Sequence, residues 1–355
     1  MPIKKIVLKN IRSYDLFSAE FSPGITLILG KNGTGKTSLL EAIYYTSLGS
    51  SFRGRSRDMI AHGADRADIL LENYDGSQRR AMISQTADQT TRRSFTIKDK
   101  NYQRLSPQNR QPVVLFEPEE LRLISSSPER RRRFIDGMLS RLYPQYSTVL
   151  SRYQRTLLQR NSLLKRRSEI DQKSWENQLF TWDIKFAELA EQIVRMRREF
   201  IANSNTRLSP HYSAIAGQEH HISTSYQSET DKDNYKQQLI NQLHSQKVAD
   251  SYRGFTSVGP HRDDFVINID DHPASEVASR GEMRTIMLAY KLLEIEMQTE
   301  IYDQPPLILM DDVFSELDSS RESKLMKALR DYQTIITATD LRDEMKIDVS
   351  IVRLD

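Results

Sequence analysis

A chain of 355 residues without a cysteine can hold neither a disulfide nor a Cys-ligated zinc or iron–sulfur site. At 38% hydrophobic and 28% charged residues it reads as globular rather than disordered, and its longest apolar runs, such as PPLILM, fall far short of a membrane span. The net charge of +3 is unevenly placed: residues 122–167 carry 12 Lys and Arg against 2 acids, a local +10 that points to a polyanionic partner.

The first ten residues lack the apolar stretch of a signal peptide, so a cytosolic protein is expected. KKIVLKNI and LFSAEFSPGITLILG read as strands broken at Pro23-Gly24. Residues 25–29, ITLIL, are apolar apart from Thr26, which suits a buried parallel strand. That strand enters GKNGTGKT, residues 30–37, which fits G-x-x-x-x-G-K-[ST]. The glycines let the backbone curl until successive N–H groups face the phosphates of a nucleotide, and the following helix brings its positive end to the same place. The expected nucleotide site is therefore Gly30, Lys31, Asn32, Gly33, Thr34, Gly35, Lys36, Thr37 and Ser38. Lys36 supplies the point charge for catalysis and Thr37 a hydroxyl for Mg²⁺, so ATP and Mg²⁺ are the expected cofactors. A helix, SLLEAIYYTSLG, ends at Gly49. Alternating stretches run on to about Leu115, with Asp75-Gly76 as a hairpin turn.

Near Pro118 the pattern becomes helical. Arg130, Arg131, Arg132 and Arg133 follow Ser-Ser-Ser-Pro; they are either solvated residues at a helix start or contacts to a DNA backbone, and the basic segment around them supports the second reading. No regular aromatic platform is visible, which favours duplex backbone over base stacking. Leu179, Trp182, Phe186, Leu189, Ile193, Met196 and Phe200 alternate by three and four, the a/d seam of a coiled coil about 33 Å long. Leu150, Tyr153, Leu157 and Leu164 form a weaker stripe upstream, and residues 168–174 would turn the chain back. An antiparallel helical hairpin is expected, with an ordinary bundle core as the alternative. Residues 211–250 are polar without a clear period.

Strand-like alternation returns in FVINID. PHRDD contains His-Arg-Asp, and Asn268 falls at the offset of a protein-kinase catalytic loop, but no kinase glycine loop or Asp-Phe-Gly accompanies it; a polar structural cluster is the better reading. His220-His221 has no further metal ligands at suitable spacing, so it reads as a polar loop. Downstream, LILMDD is a buried run ending in carboxylates: Asp311 would hold Mg²⁺ and Asp312 would orient or deprotonate the attacking water. It lies about 275 residues after Lys36, so a large insertion separates the two halves of one nucleotide site. Residues 1–118 and 251–355 are read as one α/β head assembled from both chain ends, with residues 119–250 as an inserted helical arm.

ASRGEMR, residues 278–284, precedes a helix-like run and resembles the signature turn of ABC-type ATPases. In that class the turn contacts the γ-phosphate held by a second subunit, and two nucleotides are sandwiched between two heads. Ser279, Arg280, Gly281 and Glu282 are then the residues acting in trans, although an isolated Ser-x-Gly-Glu is also an ordinary helix cap. Glu316, Leu317 and Asp318 of SELD stand where that class has its D-loop. The resemblance extends further. VLKNIRSYDLFSAEFSPGITLILGKNGTGKTSLLEAIYYTSLGSSFR, VVLFEPEELRLISSSPERRRRFID, GPHRDDF, ASRGEMR and LILMDDVFSELD together resemble the RecF recombination-mediator family. That resemblance implies an ABC-type head like those of SMC and Rad50 proteins, with a short arm instead of a long coiled coil. It also implies an ATP-dependent homodimer on double-stranded DNA and at gap junctions. Slow DNA-stimulated ATP hydrolysis, RecR and RecO as partners in loading RecA at single-strand gaps, and the approach of Arg12, Ser13 and Tyr14 to the nucleotide follow from it too.

Three departures from the class stand out. Asp312 replaces the usual glutamate and is one methylene shorter, so slow hydrolysis is expected. VVLFEPEEL shows no Q-loop glutamine, and Gln111 does not match its position. Thr339 and Asp340 stand where the switch histidine would be. Two other functions fit a phosphate loop: the nucleotide-binding subunit of a transporter, against which the basic insertion argues, and a small-molecule kinase, against which the late carboxylate strand argues.

Overall fold

The computed structural model describes residues 2–86, 88, 90–230, 233–341 and 349–354. The chain divides into two units: Met1–Leu121 with Ala214–Gly217 and Tyr290–Asp355, and Arg122–Ser213 with Gln218–Ala289. These limits differ from the sequence boundaries at 118 and 250, because residues 251–289 group with the helical segment. The membrane question has a plain answer among the described residues: no helix is long and apolar enough to cross one.

In chain order the first elements are β1 (Ile3–Ile11), β2 (Tyr14–Glu20), β3 (Ile25–Leu29), α1 (Lys36–Leu48), β4 (Arg66–Asn73), β5 (Gln78–Gln85), β6 (Thr91–Ile97), β7 (Lys100–Tyr102) and β8 (Val113–Phe116). The helical stretch holds α2 (Pro128–Leu142), α3 (Pro144–Lys165), α4 (Gln172–Asn205), α5 (Leu208–Ala216), β9 (Ile222–Gln227) and α6 (Tyr235–Arg253). Then come β10 (Asp264–Ile269), β11 (His272–Pro273), α7 (Ala274–Val277), α8 (Arg280–Tyr302), β12 (Leu307–Asp311), α9 (Ser319–Ala328), β13 (Thr334–Ala338) and β14 (Val349–Arg353).

The first unit has two sheets. One is antiparallel, in the order β2-β1-β4-β5-β6-β7. Its strands bury one face only: β1 hides Ile3, Ile6, Leu8 and Ile11 and leaves Lys4 and Lys9 in water, with the alternation reset where the register shifts between Ile3 and Lys5. The other sheet is parallel, in the order β14-β3-β13-β12-β8. Its inner strands β3 and β13 are buried at every residue, which is why neither shows alternation in the sequence. Helix α1 packs Leu39, Leu40, Ile43 and Tyr45 into the core that both sheets share. The phosphate-loop strand β3 thus sits inside the sheet, flanked on both sides by strands from the far end of the chain.

The second unit is a helical hairpin, α3 and α4, turned at residues 166–171 and covered by α6. Asp171 caps α4 by accepting from the Ser174 amide at 2.9 Å, and Trp175 Nε1 donates across the hairpin to Leu163 O at 3.0 Å. Of the expected seam, Leu179, Phe186, Leu189, Ile193 and Phe200 are buried, while Trp182 and Met196 are only half-buried. Ala187, Ala190, Val194 and Ile201 are buried as well, as are the charged Asp183 and Arg197, so the buried face of α4 is broader than the a/d seam alone. Residues 235–253, polar in sequence, are the helix that covers it, burying Tyr235, Leu239, Leu243 and Asp250.

Two arginines are fully enclosed here. Arg160 donates to Asp183 at 2.6 Å, Asp250 at 3.2 Å and the Thr256 hydroxyl at 2.8 Å. Arg197 reaches Asp136 through two bonds of 3.0 and 2.8 Å and Pro260 O at 2.7 Å. These two residues tie α2, α3, α4, α6 and the 254–263 loop together. Burial raises the Asp183 carboxyl above the usual range despite the guanidinium beside it.

Candidate functional site

The chain leaves the parallel sheet at Gly30, whose N–H donates to Ala338 O at 3.3 Å. Gly33 and Gly35 then adopt φ of +90° and +96°, values that a side chain would strain. At Gly35 the need is also steric, since a Cβ there would lie 2.8 Å from the Tyr14 ring. Lys36 opens α1, and its buried ammonium donates to Lys31 O at 2.9 Å and to Gly30 O. Thr37 Oγ1 donates to Asp311 Oδ1 at 2.9 Å, across 274 residues of sequence. Thr337 Oγ1 lies at the same distance from that oxygen, so the second strand's carboxylate is fixed from two sides. Asp312 turns out of β12 with φ of +51°, its N–H held by the Thr337 hydroxyl at 3.0 Å.

Gly35, Lys36, Thr37, Asp311 and Asp312 line a cavity of about 530 Å³ together with Arg12, Ser13, Asn32, Gly33, Ser38, Arg53 and Pro118. Its wall holds three cations, Arg12, Lys36 and Arg53, and two aspartates, which suits a phosphate chain with a metal. Arg12 is anchored by a paired contact to Glu41, at 3.0 and 2.9 Å, and Glu41 itself is buried in α1. Tyr14 packs over the loop rather than lining the cavity, its hydroxyl 3.4 Å from Thr34 O, and burial pushes its phenol up to about 12. The hydroxyl of Thr37 and the carboxylate of Asp311 are hard oxygen donors, one of them charged, the set Mg²⁺ takes beside nucleotide phosphates. A larger hollow, about 1190 Å³ on the open face of the antiparallel sheet, brings no such set together; its Asp68 is already paired with Arg66 and Arg80.

Arg53 and Glu117 were not legible as site residues. Arg53 lies in the loop after α1, 3.9 Å from Glu41. Glu117 follows Phe116, which pairs with Met310, so it ends its strand alongside Asp311, in the place where a Q-loop residue was sought. Burial, then the neighbouring Glu120 carboxylate, pushes Glu117 up to about 7. The acid inside the apolar helix at Glu41 was the signal for the arginine pair beside the loop.

In the second unit, Ser279 and Glu282 form a reciprocal cap at the start of α8: Ser279 N donates to Glu282 Oε2 at 2.7 Å, and Glu282 N to Ser279 Oγ at 3.3 Å. Ser279 and Arg280 are exposed, and Gly281 is half-buried. In the first unit, Leu317 is buried and Asp318 caps α9 through the Arg321 amide at 2.9 Å, so of the three D-loop residues Leu317 serves the core. Thr339 and Asp340 are exposed beyond β13.

The four arginines divide. Arg131 is paired with Asp264 at 3.0 and 2.6 Å, and Arg132 bonds Asp263 O, so both brace α2 against β10 and the loop before it. Both guanidiniums are thus engaged within the fold. Arg130 and Arg133 are exposed, Arg133 beside Glu129 at 2.9 Å. PHRDD is a structural node. His261 bonds the Tyr153 hydroxyl at 2.7 Å and Thr256 O at 3.0 Å, and burial pulls it down to about 4. His220 pairs with Asp270 at 2.6 Å, and no metal-holding cluster occurs among the described residues.

Comparison with known proteins was made on this footing. The model of the RecF/RecN/SMC N terminal domain matches residues 2–351. The DNA replication and repair protein RecF of Streptococcus agalactiae serotype V is 34% identical, over 98% of this chain and 95% of its own length. That of Streptococcus pyogenes serotype M49 is 36% identical, over 96% and 93%. A solved structure of the recombination mediator protein RecF with ATP, in the RecFOR pathway, superposes with a TM-score of 0.84 at 29% identity, covering 96% of this chain and 93% of that one.

Proposed function

Because the chain belongs to the RecF family of the RecF/RecN/SMC group, we propose that it is a DNA-repair ATPase whose two heads close on DNA around two ATP molecules. Its fold is the ABC-type ATPase head of that group. The observation that carries the reading is the meeting of Thr37 and Asp311 at 2.9 Å beside the phosphate loop, a hydroxyl and a carboxylate that the parallel sheet brings together from 274 residues apart.

ATP lies with its phosphates against the amides of residues 31–38 and the Lys36 ammonium. Thr37 and Asp311 would hold Mg²⁺, whose chemistry there would be to neutralise charge on the phosphates. Asp312 accepts the proton of the attacking water. The wall opposite the phosphate loop is supplied by the exposed Ser279 turn of a second copy, whose α8 N-terminus adds N–H donors toward the γ-phosphate. The capping box within that turn fits this role, since it sets the Ser279 hydroxyl ahead of the helix. Closure brings basic surfaces of two protomers onto one duplex, with exposed Arg130 and Arg133 among the contacts. Hydrolysis reopens the pair and is slow, because Asp312 is a short carboxylate. Cooperation with RecR and RecO in loading RecA at gaps follows for this chain from its family, as does residence in the cytoplasm.

Sedimentation of wild type and Ser279→Arg, with and without ATP and duplex DNA, tests this. The expected result is an ATP-dependent dimer that Ser279→Arg abolishes while each monomer still binds nucleotide. Dimers that persist in Ser279→Arg defeat the trans arrangement. Wild-type duplex binding that responds to neither ATP nor salt would instead fit a transporter subunit.

A further inference from the structure

We propose that Glu41 is a positioning residue for nucleotide binding: one buried carboxylate that holds two arginines, Arg12 and Arg53, at the phosphate cavity. Glu41 sits in α1 one turn after Thr37. It is fully buried and does not line the cavity itself. Arg12 and Arg53 do line it, and they come from different parts of the chain, the turn between β1 and β2 and the loop after α1. Glu41 reaches both. It accepts from Arg12 Nε at 3.0 Å and Nη2 at 2.9 Å. Ser51 Oγ donates to the same carboxylate at 2.5 Å while accepting from the amides of Arg53 at 3.0 Å and Gly54 at 3.1 Å, so one hydroxyl ties the Arg53 loop to Glu41. The Arg53 guanidinium stands 3.9 Å from Glu41.

Stability alone does not account for this arrangement. A buried ion pair is often no better than apolar side chains of the same volume, and Glu41 lies on a helix that otherwise packs Leu39, Leu40, Ile43 and Tyr45 into the core. Arg12 carries a second cost, a φ of +52° in a region that suits a non-glycine residue poorly, where its amide is held by Met59 O at 2.9 Å. The outcome of both is a fixed guanidinium with donors to spare. Glu41 takes two of its five N–H groups, and among the described residues no other acceptor takes the remaining three. A phosphate oxygen can accept from such a group without first ordering a long side chain, whose rotamer freedom is already lost.

This role of Glu41 rests on the ATP reading of the cavity and needs neither a second copy nor DNA. Calorimetric titration of the full chain with ATP, in the absence of DNA, tests it through double-mutant cycles. Arg12→Ala and Glu41→Gln, which keeps the side-chain volume, are each expected to lower ATP affinity about tenfold. Together they should lose about 10- to 30-fold, short of the roughly 100-fold of independent residues, because Glu41 acts largely through Arg12. Ser51→Ala leaves the buried pair intact and frees only the Arg53 loop. It should cost about threefold in affinity, and nothing further once Arg53→Ala is present. Wild-type affinity in Glu41→Gln or in Ser51→Ala, or fully multiplied losses in either cycle, overturns the assignment while the ATP site stands. Wild-type protein that does not bind ATP overturns the site itself, and with it the role of Glu41.

Discussion

Asp312 leaves its strand in the left-handed region while the Thr337 hydroxyl holds its amide. A backbone fixed at this point suits a base that must meet one water. Asp312→Asn keeps the shape and removes the proton acceptor, so ATP hydrolysis should fall on the order of 100-fold with nucleotide affinity retained, as equilibrium binding and phosphate release would register. His261 offers a prediction about pH. Its folded value near 4 lies below its ordinary 6.5, so the folded state resists the proton that the unfolded state accepts. Stability is then full above pH 6.5 and declines as pH falls toward 4, by at most about 3 kcal/mol. Urea midpoints across that window should show the decline, and His261→Gln should flatten it. Single residues were legible where chemistry is local. The glycines and Lys36 stand in one run, whereas the partner of Arg131 lies 133 residues away and no local pattern announces it.

At the scale of elements, the phosphate loop and the helical bundle fail differently. Gly35→Ala combines a positive φ with a collision against Tyr14, so the loop must open to accept it. Nucleotide binding measured by calorimetry should be lost while the melting temperature drops only modestly, by the equivalent of about 1–3 kcal/mol. Arg160→Met strands Asp183 and Asp250 in the bundle without a counter-charge. Its cost should be about 3–5 kcal/mol in urea unfolding, far above that of a surface arginine such as Arg133. The hairpin was legible from the three-four spacing, but not the width of its buried face. Nothing in a sequence shows that Asp183 and Arg197 point inward until their partners are placed. Helix α6 was hidden because it buries few side chains, one of them the acid Asp250.

For the molecule as a whole, the proposed completion of the site by a second copy predicts how mixtures of variants behave. Lys36→Met disables the phosphate loop and keeps a sound Ser279 turn; Ser279→Arg does the reverse. Each variant alone should be inactive, yet a mixed dimer contains one intact site of two. An equal mixture should recover up to about a quarter of wild-type ATPase activity, given random pairing in a two-fold dimer. Titrating one variant into the other and following phosphate release checks this, and a flat response excludes the shared site. The head assembled from both chain ends was legible because each half carries part of one motif pair. The grouping of residues 251–289 with the bundle was not, since β10 joins β9 only through pairing across a polar stretch.

The place of β3 between two late strands bears on how the protein is born. Both of its neighbours, β13 and β14, are synthesised about 300 residues after it. At about 5–20 residues per second on the ribosome, Ile25–Leu29 waits for roughly 15–60 s without a partner strand. The bundle, nearly continuous in sequence, can close during that delay, while four bare apolar side chains, Ile25, Leu27, Ile28 and Leu29, remain open to chaperones or to a neighbouring nascent chain.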